Sequence, residues 1–174
     1  NRQLLPNSEN FTWLKQTHSN FCINVDVNRK DVDAADACFS VQKRQVCAVM
    51  TADCLPVLLC DQHGTCVAAV HAGWRGLADG VIENTIEKMP AEARSLMAWM
   101  GPAISQKNFE VGQEVKDAFF EYPYAFSKNT QTIEDKYFAD LYLIAKQKML
   151  ALGITQIFGG EYCTYQQPDL FFSH

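Results

Sequence analysis

Val46-Cys47-Ala48-Val49-Met50, Leu55-Pro56-Val57-Leu58-Leu59-Cys60 and Thr65-Cys66-Val67-Ala68-Ala69-Val70 are three short apolar runs, the last two separated by Asp61-Gln62-His63-Gly64. Runs this short and rich in Val and Leu predict strands covered on both faces, and Asp61 to Gly64 predicts a hairpin turn. Working outward, Leu96 to Met100 repeats the pattern before Gly101-Pro102, and Ile154 to Phe158 repeats it before Gly159-Gly160. Phe138, Leu141, Tyr142, Ala145, Met149 and Leu152 share one helical stripe that stops at Gly153. A second helix is predicted over Leu77 to Met89, with Pro90 as its stop, and a third over about Gly112 to Tyr122. Helices interleaved with strands that include a hairpin favour an α+β fold, a mixed β-sandwich flanked by helices, over a doubly wound parallel sheet. Asn24 to Asp36 and Ser127 to Lys136 read as charge-rich loops. With no repeat, linker or low-complexity stretch, residues 1–174 read as a single domain.

Composition narrows the function. Fifteen Lys and Arg against 20 Asp and Glu give a net charge of −5, so there is no dense basic face for nucleic acid or an anionic membrane. Val46 to Cys60 is interrupted by Thr51, Asp53 and Pro56 and is too broken for a spanning helix. Asn1 to Asn7 lacks the basic start and apolar stretch of a signal peptide. Seven cysteines, several in apolar segments and none in a C-x-x-C pair, fit a reducing cytoplasm and exclude zinc ribbons and thioredoxin-type centres. Only four histidines are present, His18, His63, His71 and His174. A blue-copper site alone takes two of them with a cysteine, so the oxygen-reducing cluster of a multicopper oxidase does not fit in one chain.

Three segments combine polar residues, glycines and strand ends: Gln16-Thr17-His18-Ser19, Thr51-Ala52-Asp53-Cys54-Leu55-Pro56 and His71-Ala72-Gly73-Trp74-Arg75-Gly76. A strand ending at His71, a loop with Gly73 and Gly76, and a following helix form an arrangement that attracts anions, and Arg75 adds a fork of donors for phosphate or carboxylate. The blander alternative is a tight turn with Arg75 paired to a surface acid. Cys47, Cys60 and Cys66 read as core. Cys54 differs because Asp53 and Pro56 break the strand there, and a nucleophilic or metal-bound thiolate would need His71 or His18 nearby. His63 falls in a solvated turn, and His174 at the chain end carries no signal.

Thr51 to Val57 and Val67 to Gly76, the second containing His-Ala-Gly-Trp-Arg-Gly, resemble the signature of the YfiH-type laccase-domain family. Trp13 to His18, Ala98 to Ile104, Phe109 to Gly112, Phe158 to Thr164 and Phe171 to Ser173 match it in order. Members have been called multicopper polyphenol oxidases and purine nucleoside phosphorylases with adenosine deaminase activity. The resemblance implies a metal site of His18, Cys54 and His71, taking zinc, with copper as the alternative ion. Three protein ligands leave a fourth position open, as in catalytic zinc sites. It also implies purine nucleoside and phosphate as partners, with Arg75, Gly73 and Gly76 at the phosphate and Cys54, His71 and Asp53 as catalytic groups. Asp53 is the nearest acid/base candidate for deamination, since the H-x-E and P-C-x-x-C deaminase signature is absent. An amidase with Cys54 as nucleophile and His71 as base, acting on peptidoglycan precursors, is the second expectation. A metal-binding protein without turnover is the third, and polyphenol oxidation ranks last. Family members extend further at both ends, and neither extension is recognised in residues 1–174, which would leave a sheet edge exposed.

Overall fold

In the computed structural model, which describes residues 11–26, 34–132 and 134–173, the strand-rich centre of the sequence forms the middle of a six-stranded sheet. Strand β5 (Leu55–Asp61) pairs antiparallel with β6 (Val67–Ala72) through the Asp61–Gly64 turn. On the other side β5 pairs antiparallel with β7 (Leu96–Met100), and β7 pairs parallel with β11 (Gln156–Gly159). Beyond β6 come β3 (Ala37–Ser40), antiparallel, and β2 (Cys22–Asn24), parallel to β3. The spatial order is β11-β7-β5-β6-β3-β2. Two smaller sheets complete the described strands: β1 (Phe11–Trp13) parallel to β4 (Val46–Ala48), and β8 (Glu110–Val111), β10 (Tyr137–Ala139) and β9 (Phe126–Lys128) in the antiparallel order β8-β10-β9. The class is α+β, as expected.

One face of the large sheet carries the main core. Leu55, Val57 and Leu59 of β5, Val70 and Ala72 of β6, and Leu96 and Ala98 of β7 meet helices α1 (Trp74–Ala78), α2 (Val81–Lys88) and α4 (Leu141–Ala151) through Leu77, Ile82, Leu141, Ile144 and Met149. On the opposite face Cys38 and Ala69 join Leu14, Val25 and Ala35 in a second cluster, with Cys47 of β4 packed against it. That covering layer stops short of β5 and β7. Leu58, Val67, Trp99 and Phe158 are therefore exposed, where continuous apolar runs led us to expect strands covered on both faces. The side chains of β5 alternate instead, as a strand with one open face requires.

The helices also differ in extent. Leu77 to Met89 is not one helix, because Gly80 at φ +87° separates α1 from α2, a left-handed backbone that glycine adopts at little cost. Phe138 lies in β10, and α4 starts only after Asp140, whose side chain accepts the Leu143 N–H at 2.9 Å and caps the first turn. The third helix, α3, covers only Gln113–Ala118. Within the two expected loops the structure places β9, and Ala34 bridges Lys15 just ahead of β3. The Asn1–Asn7 start, His174 and most of the Asn24–Asp36 loop lie outside the described residues. No helix among the described residues is long and apolar enough to cross a membrane.

Candidate metal centre

His71 is the penultimate residue of β6, on the sheet face opposite the helices, and is buried. The β3–β6 register that sets Ala37 against Val70 places Asp36 directly across from it, and the His71 N–H donates to the Asp36 carbonyl at 2.7 Å. Cross-strand neighbours share a face, so the fully buried Asp36 carboxylate meets the imidazole, with Nδ1 2.7 Å from Oδ1. Burial alone would raise the Asp36 pKa. Hydrogen bonds from His71, Ser19 and Thr17 outweigh it and hold the carboxyl below the usual range. An ionised carboxylate only accepts, so the Nδ1 of His71 carries the proton and Nε2 is left with its lone pair. Burial also outweighs the pull of Asp36 on His71 and lowers its pKa, which favours the neutral imidazole that a metal requires.

His18 reaches the same place from the loop after β1. Its backbone has φ +61°, a conformation costly for a residue with a Cβ. The Asp36 carboxylate holds it there, accepting from the backbone N–H groups of Thr17, His18 and Ser19 and from the Ser19 hydroxyl at 2.6–3.1 Å. The two imidazoles meet edge to face, with centroids 4.9 Å apart. Cys54 arrives from the segment leading into β5, with Sγ 3.9 Å from the His18 Nε2. The Gln16 amide ties the two loops together, donating to the Met50 carbonyl and accepting from the Met50 N–H, both at 2.8 Å. At the other end of the Cys54 segment Asp53 is anchored by the Thr164 hydroxyl, 2.6 Å from its Oδ1, while its carbonyl accepts the Ile104 N–H.

Ligand atoms of His18, Cys54 and His71 all lie within 4.8 Å of one another, the one such group of three among the described residues. Two nitrogens and one sulfur at this spacing suit a single zinc or copper ion and leave further positions open. Burial, followed by the nearby Asp53 and Asp36 carboxylates, pushes the Cys54 thiol up. A cation at the site reverses that penalty, because a coordinating thiol is deprotonated outright. Gly73 abuts the ligands: a Cβ there would lie 3.0 Å from both the Cys54 Sγ and the His18 Cδ2. Gly76 packs on the Ser19 carbonyl in the same way. Arg75 is exposed, with its guanidinium 4.3 Å over the Trp74 ring. The three ligands named from the sequence are thus together, Asp53 adjoins them in the chain, and the Gly73–Gly76 loop borders them. Asp36 was missed. Its signal was an acid between Ala35 and Ala37 at the start of a buried strand, read instead as the end of a charged loop. Among the other cysteines Cys66 is buried, Cys47 and Cys60 are half-buried, all seven are free thiols, and His63 is exposed.

The family model described as multi-copper polyphenol oxidoreductase laccase matches residues 1–174. The chain belongs to this family. A laccase-domain relative named purine nucleoside phosphorylase YfiH, from Shigella flexneri, is 46% identical over 93% of this chain and 67% of its own length. The protein of the same name from Escherichia coli is 45% identical with the same coverage. A crystal structure of a Neisseria meningitidis protein superposes with a TM-score of 0.87 at 45% identity, covering 92% of this chain and 67% of that one. The Bacillus licheniformis protein YfiH superposes with a TM-score of 0.83 at 27% identity, covering 93% and 68%. The chain thus spans about two thirds of the length of these relatives.

Proposed function

We propose that the protein catalyses phosphorolysis of purine nucleosides, with adenosine deamination as a second activity of the same site, and that its resident ion is zinc. The observation that carries this reading is the convergence of His18, Cys54 and His71 on one metal-sized space, in a chain whose relatives are named purine nucleoside phosphorylases. Phosphorolysis forms a bond from a phosphate oxygen to the anomeric carbon of the sugar and breaks the bond from that carbon to the purine nitrogen. The departing purine needs its negative charge stabilised or a proton supplied. A zinc ion held by His18, Cys54 and His71 would supply Lewis acidity toward a substrate nitrogen or oxygen. Arg75 binds the incoming phosphate through its fork of donors, and its exposure leaves that fork open toward solvent. Gly73 and Gly76 keep the loop close to the ligands, so phosphate at Arg75 stays near the metal. Asp53, anchored by Thr164, is placed beside Cys54 to hold or release a proton at its carboxylate, the role deamination also requires. The small-molecule partners are the purine nucleoside and phosphate.

The test is turnover of adenosine and inosine with and without inorganic phosphate, in the native protein and in Arg75→Ala. Loss of a hydrogen bond to a charged group, worth about 1.5–3 kcal/mol, should weaken phosphate binding roughly 10- to 100-fold. Exposure of Arg75 keeps the stability cost well under ~1 kcal/mol. Nucleoside cleavage that ignores phosphate, or an Arg75→Ala protein that phosphorolyses normally, would remove the assignment.

A further inference from the structure

We propose that Asp36 is the positioning residue that builds the metal centre, fixing through one carboxylate both the ring of His71 and the backbone of His18. This inference rests on the metal site proposed above. Asp36 Oδ1 lies 2.7 Å from the His71 Nδ1 and 3.0 Å from the His18 N–H. Oδ2 accepts from the Thr17 N–H at 3.1 Å, the Ser19 N–H at 2.6 Å and the Ser19 hydroxyl at 2.7 Å. Every recorded partner of the carboxylate is a donor. A group that only accepts forces the proton of His71 onto Nδ1 and directs Nε2, with its lone pair, to the shared space, the arrangement in which a carboxylate orients a metal-bound histidine. The same oxygen that orients one ligand also closes the turn that carries the other. Ligands far apart in the chain are thereby set in register before any ion arrives.

Charge supports the same role. Asp36 is fully buried, and no Lys or Arg pairs with it among the described residues. Buried charges persist when they are paired or hydrogen-bonded. With Cys54 as thiolate and both histidines neutral, the Asp36 carboxylate adds a second negative charge beside the ligands, next to the nearby Asp53 carboxylate, and so opposes the charge of a divalent cation. The carboxylate is thus suited to both tasks, aligning the donors and balancing the ion.

The experiment titrates Zn²⁺ into the native chain, Asp36→Asn and Ser19→Ala against a chromophoric chelator, with circular dichroism of each metal-free protein as a folding control. Asparagine keeps the shape but presents an N–H₂ to N–H groups that need an acceptor. Removing an outer partner of a ligating histidine typically costs 10- to 100-fold in metal affinity, and that loss is expected for folded Asp36→Asn. Ser19→Ala removes one of five donors and should lose only a few-fold. Independently of whether Asp36→Asn folds, ¹⁵N NMR of the imidazoles in the native protein reads the same arrangement. His71 should carry its proton on Nδ1 both without and with Zn²⁺, with only Nε2 shifting on loading. A proton on Nε2, or folded Asp36→Asn with native Zn²⁺ affinity, overturns the role of Asp36 while leaving the metal site standing. A native chain that takes up no Zn²⁺ overturns the metal reading, and this inference with it.

Discussion

At the scale of single residues, two glycines of one loop serve different purposes, and the same substitution separates them. A methyl group on Gly73 would meet the Cys54 Sγ and the His18 Cδ2 at 3.0 Å, both side-chain atoms of proposed ligands. The fold can absorb this by turning those side chains, so Gly73→Ala should lower Zn²⁺ affinity several-fold with little change in melting temperature. On Gly76 the methyl group would meet the Ser19 carbonyl at 2.9 Å, a backbone atom already held by the Asp36 network. Gly76→Ala should therefore cost stability, on the order of 1–3 kcal/mol as for other overpacking substitutions, measurable by urea unfolding. Equal effects of the two changes on metal and stability would contradict this division. The identities of His18, Cys54 and His71 were legible through family resemblance, not spacing, because nothing local relates them. Asp36 was not legible in that way: its role follows from the pairing of β3 with β6, a long-range register that no window of sequence displays.

Among the elements, the β5–β6 hairpin and β7 were read from sequence because each strand has five to seven residues built on an apolar run, broken only by Asp61 at the end of β5 and His71 near the end of β6. Strands β1, β2, β3, β8, β9 and β10 have two to four residues, too few for a period of two to emerge. The two faces of β5 are testable with adjacent residues. Leu59 is buried in the main core and Leu58 is exposed. Leu59→Ala should cost about 2–5 kcal/mol, whereas Leu58→Ser should stay within roughly 0.5 kcal/mol. The hairpin also carries a pH dependence. Asp61 accepts the N–H groups of Cys66, Thr65 and His63 and the Thr65 hydroxyl, and these bonds hold its carboxyl below the ordinary range. A carboxyl depressed in the folded state stabilises the protein fully above its unfolded pKa of about 3.9, and that contribution is lost as pH falls through the lower folded value. Asp61→Asn should therefore be less stable than the native chain at pH 7, with the gap narrowing as the pH is lowered below 4. A constant gap across that range would show that Asp61 acts through packing alone.

For the whole molecule the histidine inventory sets how much metal the chain can hold, and the structure makes that limit stricter. Of four histidines, His18 and His71 belong to the centre, and His63 is exposed in the turn between β5 and β6, away from the strand ends that carry the site. Among the described residues no second group of three His, Cys, Asp or Glu side chains converges as His18, Cys54 and His71 do. The family description names several coppers, yet reduction of oxygen to water needs a cluster that one such centre does not provide. Copper nevertheless outcompetes zinc at most nitrogen and sulfur sites by the Irving–Williams order, so a copper form can be prepared without being the working one. Protein loaded with excess Cu²⁺ or Zn²⁺ and then desalted should keep one ion per chain by elemental analysis, and Cys54→Ala should keep none. Oxidation of a phenolic substrate should rise only with copper, whereas phosphorolysis should proceed in the zinc form. Two or more coppers retained per native chain, or stoichiometric metal retained by Cys54→Ala, would mean that ligands outside this centre hold the ion.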